Sequence, residues 1–169
     1  MIDLRGNTGG NLWPMLFGVS PLLPQGKIGG FQKRSGEHAD ILNLPTGNRI
    51  GRQWMLPRIE IPAPAHLPRH IAILQDRKTA SSGEILLILF KTQDHVRYFG
   101  QPSRGFPTAN TPFPLKNGGR LDLTTAVTLD RAGRAYTGPL LPDLTTDDAV
   151  GAAEAWLSEQ CQSGTTPTS

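Results

Sequence analysis

The sequence predicts an α/β fold, and three observations support that class. Short apolar runs with strand character alternate with helical runs, which is the pattern of an open sheet with helices packed on it. Glycine turns follow the runs that resemble strands. Glycine and proline (19 and 15 residues) make up 34 of the 169 residues, so many turns and long loops are expected between the elements.

The first half of the chain contains a short strand and a long turn-rich stretch. "MIDLRGNTGG" is a strand that ends in a glycine turn, and "NLWPMLFGVSPLL" is either a short helix interrupted by Pro14 and Gly18 or an irregular segment. Further on, "IGGFQKR" and "NRIGRQWML" are expected to pair as an antiparallel hairpin or arm. "IPAPAHLPR" is too rich in proline for a helix and should be extended.

The second half alternates strand and helix more clearly. "HIAILQD" is typical of a buried parallel strand. It is followed by a helix ("SSGEILLILFKTQDHV"), a strand ("VRYFGQPS"), a loop ("GFPTANTPFPLKNG"), a strand with a hairpin return ("GRLDLTTAVTLD", "DRAGRAY") and a second loop ("GPLLPDLTTDD"). "DDAVGAAEAWLSEQC" predicts an amphipathic helix capped by Thr145 or Thr146, with Asp147 and Asp148 in its first turn.

These elements are expected to form one domain over residues 1–162, with an extended arm at about residues 25–65 and a disordered tail at 163–169. The N-terminus lacks the basic start and apolar centre of a signal peptide. A strand that begins at residue 2 suggests that the chain starts inside something larger, and the compartment is left open.

Composition excludes several functions. The net charge of +3 is scattered along the chain, so no nucleic-acid footprint is predicted. The chain has no apolar run of about 18 residues, the length that would predict a membrane span. The single cysteine, Cys161, excludes an intramolecular disulfide and a cysteine metal cluster, and no histidine pair has ligand spacing. We therefore predict neither a metal nor a cofactor.

Two loops are candidates for a ligand site, because ligands of open α/β sheets bind beyond the carboxyl ends of the strands. They are "RGNTGG" and "RKTASSG". In the second loop, Ser81 and Glu84 match the Ser-x-x-Glu capping box of a helix start. A serine at such a strand-to-helix turn is also suited to nucleophilic attack, since the free N–H groups of the helix start stabilise an oxyanion. The local pattern leaves both interpretations open.

Four motifs in order resolve that choice: "IDLRGNTGG", "DRKTASSGE", "FGQPSRGFPTANTPFPLKNGGRLDLTTAV" and "GPLLPDL". Together they resemble the carboxyl-terminal processing (tail-specific) serine peptidase family, and more closely its tricorn-like and retinoid-binding-protein-like branch. The resemblance spans residues 2 to about 157. It implies a crotonase- or Clp-protease-like α/β core, often oligomeric, and an unstructured polypeptide or peptide as substrate.

The resemblance also implies roles for individual residues. Ser81 stands at the place of the family's nucleophile, and Glu84 matches the glutamate that supports the site. The oxyanion hole would use backbone N–H groups of Gly10, with Gly9 beside it, and of Ser82. A late acidic residue is provided by Asp143, which lies in about the right neighbourhood.

The general base departs from the family pattern. Many members place a lysine 25 residues after the nucleophile, where this chain has Phe106. The tricorn-like branch uses a histidine from before the Asp-Leu-Arg strand, where this chain begins. Surface or capping roles are the default for the four histidines, His38, His66, His70 and His95. The expected base thus comes from a region before this chain, from another chain, or is absent, and the chain alone is expected to show weak or no proteolysis.

Two further hypotheses come from other classes. The chain is alternatively a binding module without enzymatic activity for an apolar ligand or a peptide, with a groove lined by Trp13, Phe17, Phe106 and Phe113. The simpler structural explanation for those aromatic residues is that they fill the hydrophobic core. "IGRQWMLPRIEI" is the candidate arm for packing on a second subunit of a homo-oligomer.

Overall fold

A computed structural model describes residues 1–45, 47–54 and 66–163. Its helices are α1 (Leu12–Val19), α2 (Ser82–Phe90) and α3 (Ala149–Ser163). Its strands are β1 (Ile2–Asp3), β2 (Gly26–Lys33), β3 (His38–Leu44), β4 (Gly47–Ile50), β5 (Gln53–Trp54), β6 (Ile71–Gln75), β7 (Val96–Gly100), β8 (Thr108–Pro114), β9 (Arg120–Asp130), β10 (Ala135–Tyr136) and β11 (Leu144–Thr145). The predicted α/β class is confirmed.

A parallel sheet in the order β1-β6-β7-β11 carries the candidate loops. Its strand β6 is buried on both faces because its side chains alternate. Ile71 and Ile73 point into the main core, whereas Ala72 and Leu74 pack in a second cluster with α3. This confirms the buried parallel strand predicted from "HIAILQD".

Helix α2 lies in the main core between the two sheets. All nine of its residues are buried, as expected for a helix that is apolar on every side. Gly29 of β2 packs so closely on it that an added methyl group would stand 2.5 Å from Leu89 Cδ2. The helix ends at Phe90, earlier than predicted. Because all of its residues are packed in the core, the position of its first turn is fixed.

The segment between Asn11 and Leu22 is helical, which settles the alternative left open by the sequence. Asn11 Oδ1 accepts a hydrogen bond from the Trp13 N–H at 3.1 Å and caps α1. Pro14 lies in the first turn, where no helical N–H is needed, so the helix tolerates it. A single 3-10 turn, Ser20–Leu22, follows.

The second sheet is antiparallel, in the order β10-β9-β2-β3-β4-β5 with β8 also paired to β9. The predicted pairing of "IGGFQKR" with "NRIGRQWML" is wrong, because β3 lies between β2 and β4. Lys33 N–H donates to Glu37 O at 2.9 Å, and Gly36 with φ +87° completes the tight turn into β3. Most of "IPAPAHLPR" and the end of the proposed assembly arm lie outside the described residues, as does the predicted tail from residue 164.

Strand β8 corrects the loop predicted from "GFPTANTPFPLKNG". Its prolines suggested a loop, but β8 pairs with β9 from Thr108 to Pro114. Proline is tolerated on an edge strand wherever its nitrogen faces away from the neighbour. The predicted return of "DRAGRAY" onto β9 is confirmed as β10.

Helix α3 begins later than predicted. Asp148 Oδ1 accepts the Gly151 N–H at 2.9 Å, so Asp148 caps the helix instead of Thr145 or Thr146. Thr146 Oγ1 instead accepts the Asp148 N–H at 3.1 Å. The loop predicted before the helix contains the short strand β11. None of the helices in the described ranges is long and apolar enough to cross a membrane.

Candidate active site

The two candidate loops meet because they leave the carboxyl ends of the neighbouring parallel strands β1 and β6. The Ala80 N–H donates to Asn7 O at 2.9 Å. The Ser82 hydroxyl donates to Gly10 O at 2.7 Å, so its side chain joins the loops in addition to any role of its amide. The sequence predicted both loops but contained no evidence of their contact.

Asp76 and Thr79 hold the base of this junction. Asp76 Oδ1 accepts N–H groups from Gly6 at 3.0 Å in the first loop and from Thr79 at 2.9 Å in the second. Partial burial acts to raise the pKa of the Asp76 carboxyl, but its amide hydrogen bonds outweigh that effect, and the pKa is lowered. The buried Thr79 hydroxyl donates to Leu4 O at 2.8 Å, which ties the turn to the end of β1.

Ser81 has a strained backbone. Its φ of +52° and ψ of −119° make it the only non-glycine residue with a positive φ in the described part of the chain. Such a conformation costs about 1–3 kcal/mol and persists only where the surroundings impose it. A serine on a strained turn between a strand and a helix is the arrangement that exposes a nucleophile in other hydrolase folds.

Gly9 packs directly on the Ser81 turn. A methyl group on Gly9 would stand 2.7 Å from Ser81 Cβ and 2.9 Å from Ala80 O. Gly9 also has φ +96°, so no other residue fits this position without a shift. Gly9 therefore allows the first loop to approach the Ser81 turn.

Two backbone N–H groups at this junction have no acceptor in the described part of the chain. The Gly9 N–H is used, because it donates to Asn7 Oδ1 at 2.9 Å. Neither the Gly10 N–H nor the Ser82 N–H has an acceptor within residues 1–45, 47–54 and 66–163. Unpaired N–H groups beside a serine hydroxyl are what an oxyanion hole requires.

Glu84 is fully buried below Ser81 and accepts four hydrogen bonds. Its Oε2 accepts the N–H groups of Ser81 and Phe106, each at 2.8 Å. Its Oε1 accepts the Ser103 hydroxyl at 2.6 Å and the Gly105 N–H at 2.7 Å. The Glu84 half of the predicted capping box is thus formed, and the carboxylate holds the Ser81 turn from below.

A cleft of about 480 Å³ opens above Ser81. Its walls come from α1, β2, α2 and the β8–β9 hairpin. Its lining residues are Gly10, Asn11, Leu12, Trp13, Phe31, Ser81, Ser82, Ile85, Thr108, Ala109, Asn110, Pro112, Arg120 and Asp122. These described lining residues include no histidine or lysine, and their one carboxylate, that of Asp122, is ion-paired with Arg120 at 2.9 Å.

Asp143 lies elsewhere. Its Oδ2 accepts the Tyr98 N–H at 2.8 Å, and its charge acts on Lys91, whose pKa is lowered mainly by burial. Lys91 follows the end of α2, about 15 Å from Ser81 along the helix at 1.5 Å per residue. Asp143 is absent from the described lining of the cleft, and its catalytic role stays a prediction.

The proposed aromatic groove is not assembled as expected. Of its four residues only Trp13 lines the cleft. Phe106 and Phe113 are 59% and 43% exposed, so the expectation that these residues fill the hydrophobic core is wrong for both. The histidines also lie away from the described cleft lining: His38 contacts Gln32, His66 is exposed, His70 packs edge-on against Trp156, and His95 is half-buried near α2.

Sequence reasoning missed three residues that hold the site: Asn7, Asp76 and Ser103. Asn7 and Asp76 both follow strands and accept hydrogen bonds from amides two or three residues on, a turn signal that is present in "RGNTGG" and "QDRKT". Ser103 carried no such signal. It is recognisable only from its buried bonds to Glu84 and to the Leu140 N–H at 2.8 Å.

The strain at Ser81 gives a first prediction. Ser81→Gly should raise the free energy of unfolding by about 1 kcal/mol. Glycine adopts a positive φ without steric strain, and the relief of that strain exceeds the extra backbone entropy that glycine loses on folding. Ser81→Ala keeps the strain and should remain within about 0.5 kcal/mol of the wild type. Urea denaturation of the two variants measures the difference. Equal stability of the alanine and glycine variants would show that the turn is not strained.

Comparison with known proteins relates most of the chain to one family. The sequence model of peptidase family S41 matches residues 1–146. A nisin-resistance protein from Lactococcus lactis subsp. lactis is 34% identical over 163 residues, which are 95% of this chain and 50% of that protein.

Solved structures agree with this relationship. A lipoprotein from Streptococcus agalactiae is 35% identical with a TM-score of 0.76, covering 94% of this chain and 53% of that one. The photosystem II D1 C-terminal processing protease shares the fold, with a TM-score of 0.55 and 23% identity over 88% of this chain and 34% of that one. The chain spans about half the length of the nisin-resistance protein and of the lipoprotein.

Proposed function

The chain belongs to peptidase family S41, and on that premise we propose that it is a serine-type endopeptidase, or the nucleophile-bearing part of one, with Ser81 as nucleophile. The observation that carries the proposal is the strained Ser81 turn beside two free amides. Capping alone gives no reason for strain, since a serine caps a helix from an ordinary extended conformation.

The reaction uses the site as follows. Ser81 Oγ attacks the scissile carbonyl carbon, and the proton of the hydroxyl passes to a base. The carbonyl oxygen becomes an oxyanion that accepts hydrogen bonds from the N–H groups of Gly10 and Ser82. Loss of one such donor typically costs about 3 kcal/mol of transition-state stabilisation. Glu84 acts through Ser81 as a positioning residue.

The base comes from outside the described lining of the cleft. No histidine or lysine lies there, and Phe106 occupies the place of the family's lysine. The Phe106 N–H instead serves to hold Glu84. A serine hydroxyl without a base within hydrogen-bonding reach is a poor nucleophile. The chain alone therefore has weak or no peptidase activity.

The substrate is an unstructured polypeptide. The cleft is lined on one side by the β8–β9 hairpin and has apolar lining residues at Trp13, Phe31 and Ile85, which suit the side chains of an extended polypeptide. The name of the 34% identical relative makes nisin the first candidate to assay. A homo-oligomer that brings a base from a second chain is compatible with this site.

The alternative is a binding module without catalysis on the same fold. The apolar cleft walls favour this alternative. That the described lining contains no histidine or lysine is compatible with both hypotheses and does not separate them. It leaves the free amides and the strain at Ser81 without a role. The two hypotheses differ in the chemical reactivity of Ser81.

Phosphonylation with a fluorophosphonate separates them. Added imidazole supplies the base, takes the Ser81 proton and allows an Oγ–P bond to form as fluoride leaves. We expect an adduct on the peptide containing Ser81 at a rate that rises with imidazole concentration. Ser81→Ala should give none, and the control Ser158→Ala, on the exposed face of α3, should react as the wild type. A binding module would show no imidazole-dependent adduct.

A further inference from the structure

The β8–β9 hairpin has two edges with opposite properties. The register pairs Phe113 with Leu121, and the loop is closed by the Leu115 N–H donating to Gly119 O at 2.8 Å. In an antiparallel pair, residues two apart face the same side, so Leu121 and Leu123 direct their N–H and C=O groups to β8. Asp122 and Thr124 direct theirs to the other edge.

The outer edge of the hairpin is blocked. The same register turns the nitrogens of Pro112 and Pro114 outward from β8. Proline has no N–H, so these two positions offer no donor to another strand. Natural sheets use proline in this way to prevent pairing at an exposed edge.

The inner edge, that of β9, is unpaired at residues 120–124 in the part of the chain that the structure describes. Strand β2 pairs with β9 only as far as Lys33 and Ala126, and then turns away toward β3. Within residues 1–45, 47–54 and 66–163 no strand pairs with this edge at residues 120–124. A groove of about 480 Å³ lies at the fork, between Gln32–Arg34 and Thr124–Val127.

The open edge continues the candidate active-site cleft. Arg120 and Asp122 both line that cleft, and the backbone groups of Asp122 face the unpaired edge. An extended polypeptide that pairs with β9 would therefore run from this edge directly into the cleft. Backbone pairing of this kind is independent of side-chain sequence, which suits an unstructured substrate.

We propose that the β9 edge at Asp122 and Thr124 is a docking site for an extended polypeptide, which binds as an added β-strand. The proposal deepens the proposed function and rests on it for the identity of the ligand. Binding itself requires only the backbone groups of β9. The test therefore reads binding without cleavage, and a loss of Ser81 reactivity would leave its result unchanged.

Residue-resolved hydrogen exchange by NMR, with a capped heptapeptide of alternating threonine and valine as probe, tests the edge directly. In the free chain the amides of Leu121 and Leu123 should exchange slowly and those of Asp122 and Thr124 rapidly. Peptide should slow exchange at Asp122 and Thr124 at least about tenfold, equally in Ser81→Ala. Binding without that protection would overturn the proposal. Protection already present in the free chain would also overturn it, and a concentration dependence would identify a second copy as the occupant.

A matched pair of variants at Thr124 gives a second readout. Thr124→Pro removes the edge N–H, whereas Thr124→Val keeps it. Both lose the hydroxyl bond to Asn110 Oδ1. A lost backbone hydrogen bond is worth about 1 kcal/mol, so Thr124→Pro should bind the peptide about fivefold more weakly than Thr124→Val. Equal affinities of the two variants would contradict docking at this edge.

Discussion

Glu84→Gln is expected to lower the free energy of unfolding by about 3 kcal/mol and to remove imidazole-dependent phosphonylation of Ser81. Each carboxylate oxygen of Glu84 accepts two hydrogen bonds, so either orientation of the glutamine points its NH₂ group at buried donors. A buried donor left unpaired costs about 1–3 kcal/mol. The Ser81 N–H and the loop at Ser103 would then lose their common anchor.

Urea denaturation and adduct formation measure this effect separately. Glu154→Gln is the matched control, because Glu154 is exposed on α3 and its change should stay within about 0.5 kcal/mol. A Glu84→Gln protein as stable and as reactive as the wild type would show that Glu84 does not position the nucleophile. If Glu84→Gln lowered the free energy of unfolding but left the reactivity of Ser81 unchanged, Glu84 would stabilise the core without positioning Ser81.

Gly9→Ala should destabilise the chain by about 1–3 kcal/mol more than Gly10→Ala. Both glycines have positive φ angles, +96° and +121°, so both variants incur backbone strain. Only the methyl group at Gly9 meets atoms, at 2.7 Å from Ser81 Cβ and 2.9 Å from Ala80 O, and overpacking of that kind costs about 1–3 kcal/mol. At Gly10 no atom lies within 4 Å.

Denaturation curves of the two glycine variants check this difference, and the Ser81 adduct shows its consequence. Gly9→Ala should also slow phosphonylation, because the first loop can no longer pack against the Ser81 turn. If the two variants were equally stable, the loops would not be in the close contact that the site requires.

The sequence predicted most where a pattern was local and strong. The apolar runs of β6 and α2 are long and bounded by turn residues, and both elements were located. The motif order identified the family, which the match over residues 1–146 confirms. The same motifs indicated Ser81 and its neighbours as site residues, and their roles stay proposals.

Sequence reasoning failed where distant partners decide the structure. Pro112 and Pro114 suggested a loop, and only the pairing with β9 shows that their nitrogens face away from it. Strand β3 was overlooked because nothing local specifies that it separates β2 from β4. The bonds of Asp76 and Ser103 reach partners up to 70 residues away, which no spacing rule predicts.

The amide signals of Gly10 and Ser82 in the phosphonylated chain test the central claim most directly. That claim is that Ser81 and these two N–H groups form one site. Once the adduct forms on Ser81, the phosphonyl oxygen should accept both N–H groups, so both amides should shift downfield and exchange more slowly. The amide of Gly6, which already donates to Asp76 at 3.0 Å, should stay unchanged. An adduct on Ser81 that leaves Gly10 and Ser82 unaffected would contradict the account.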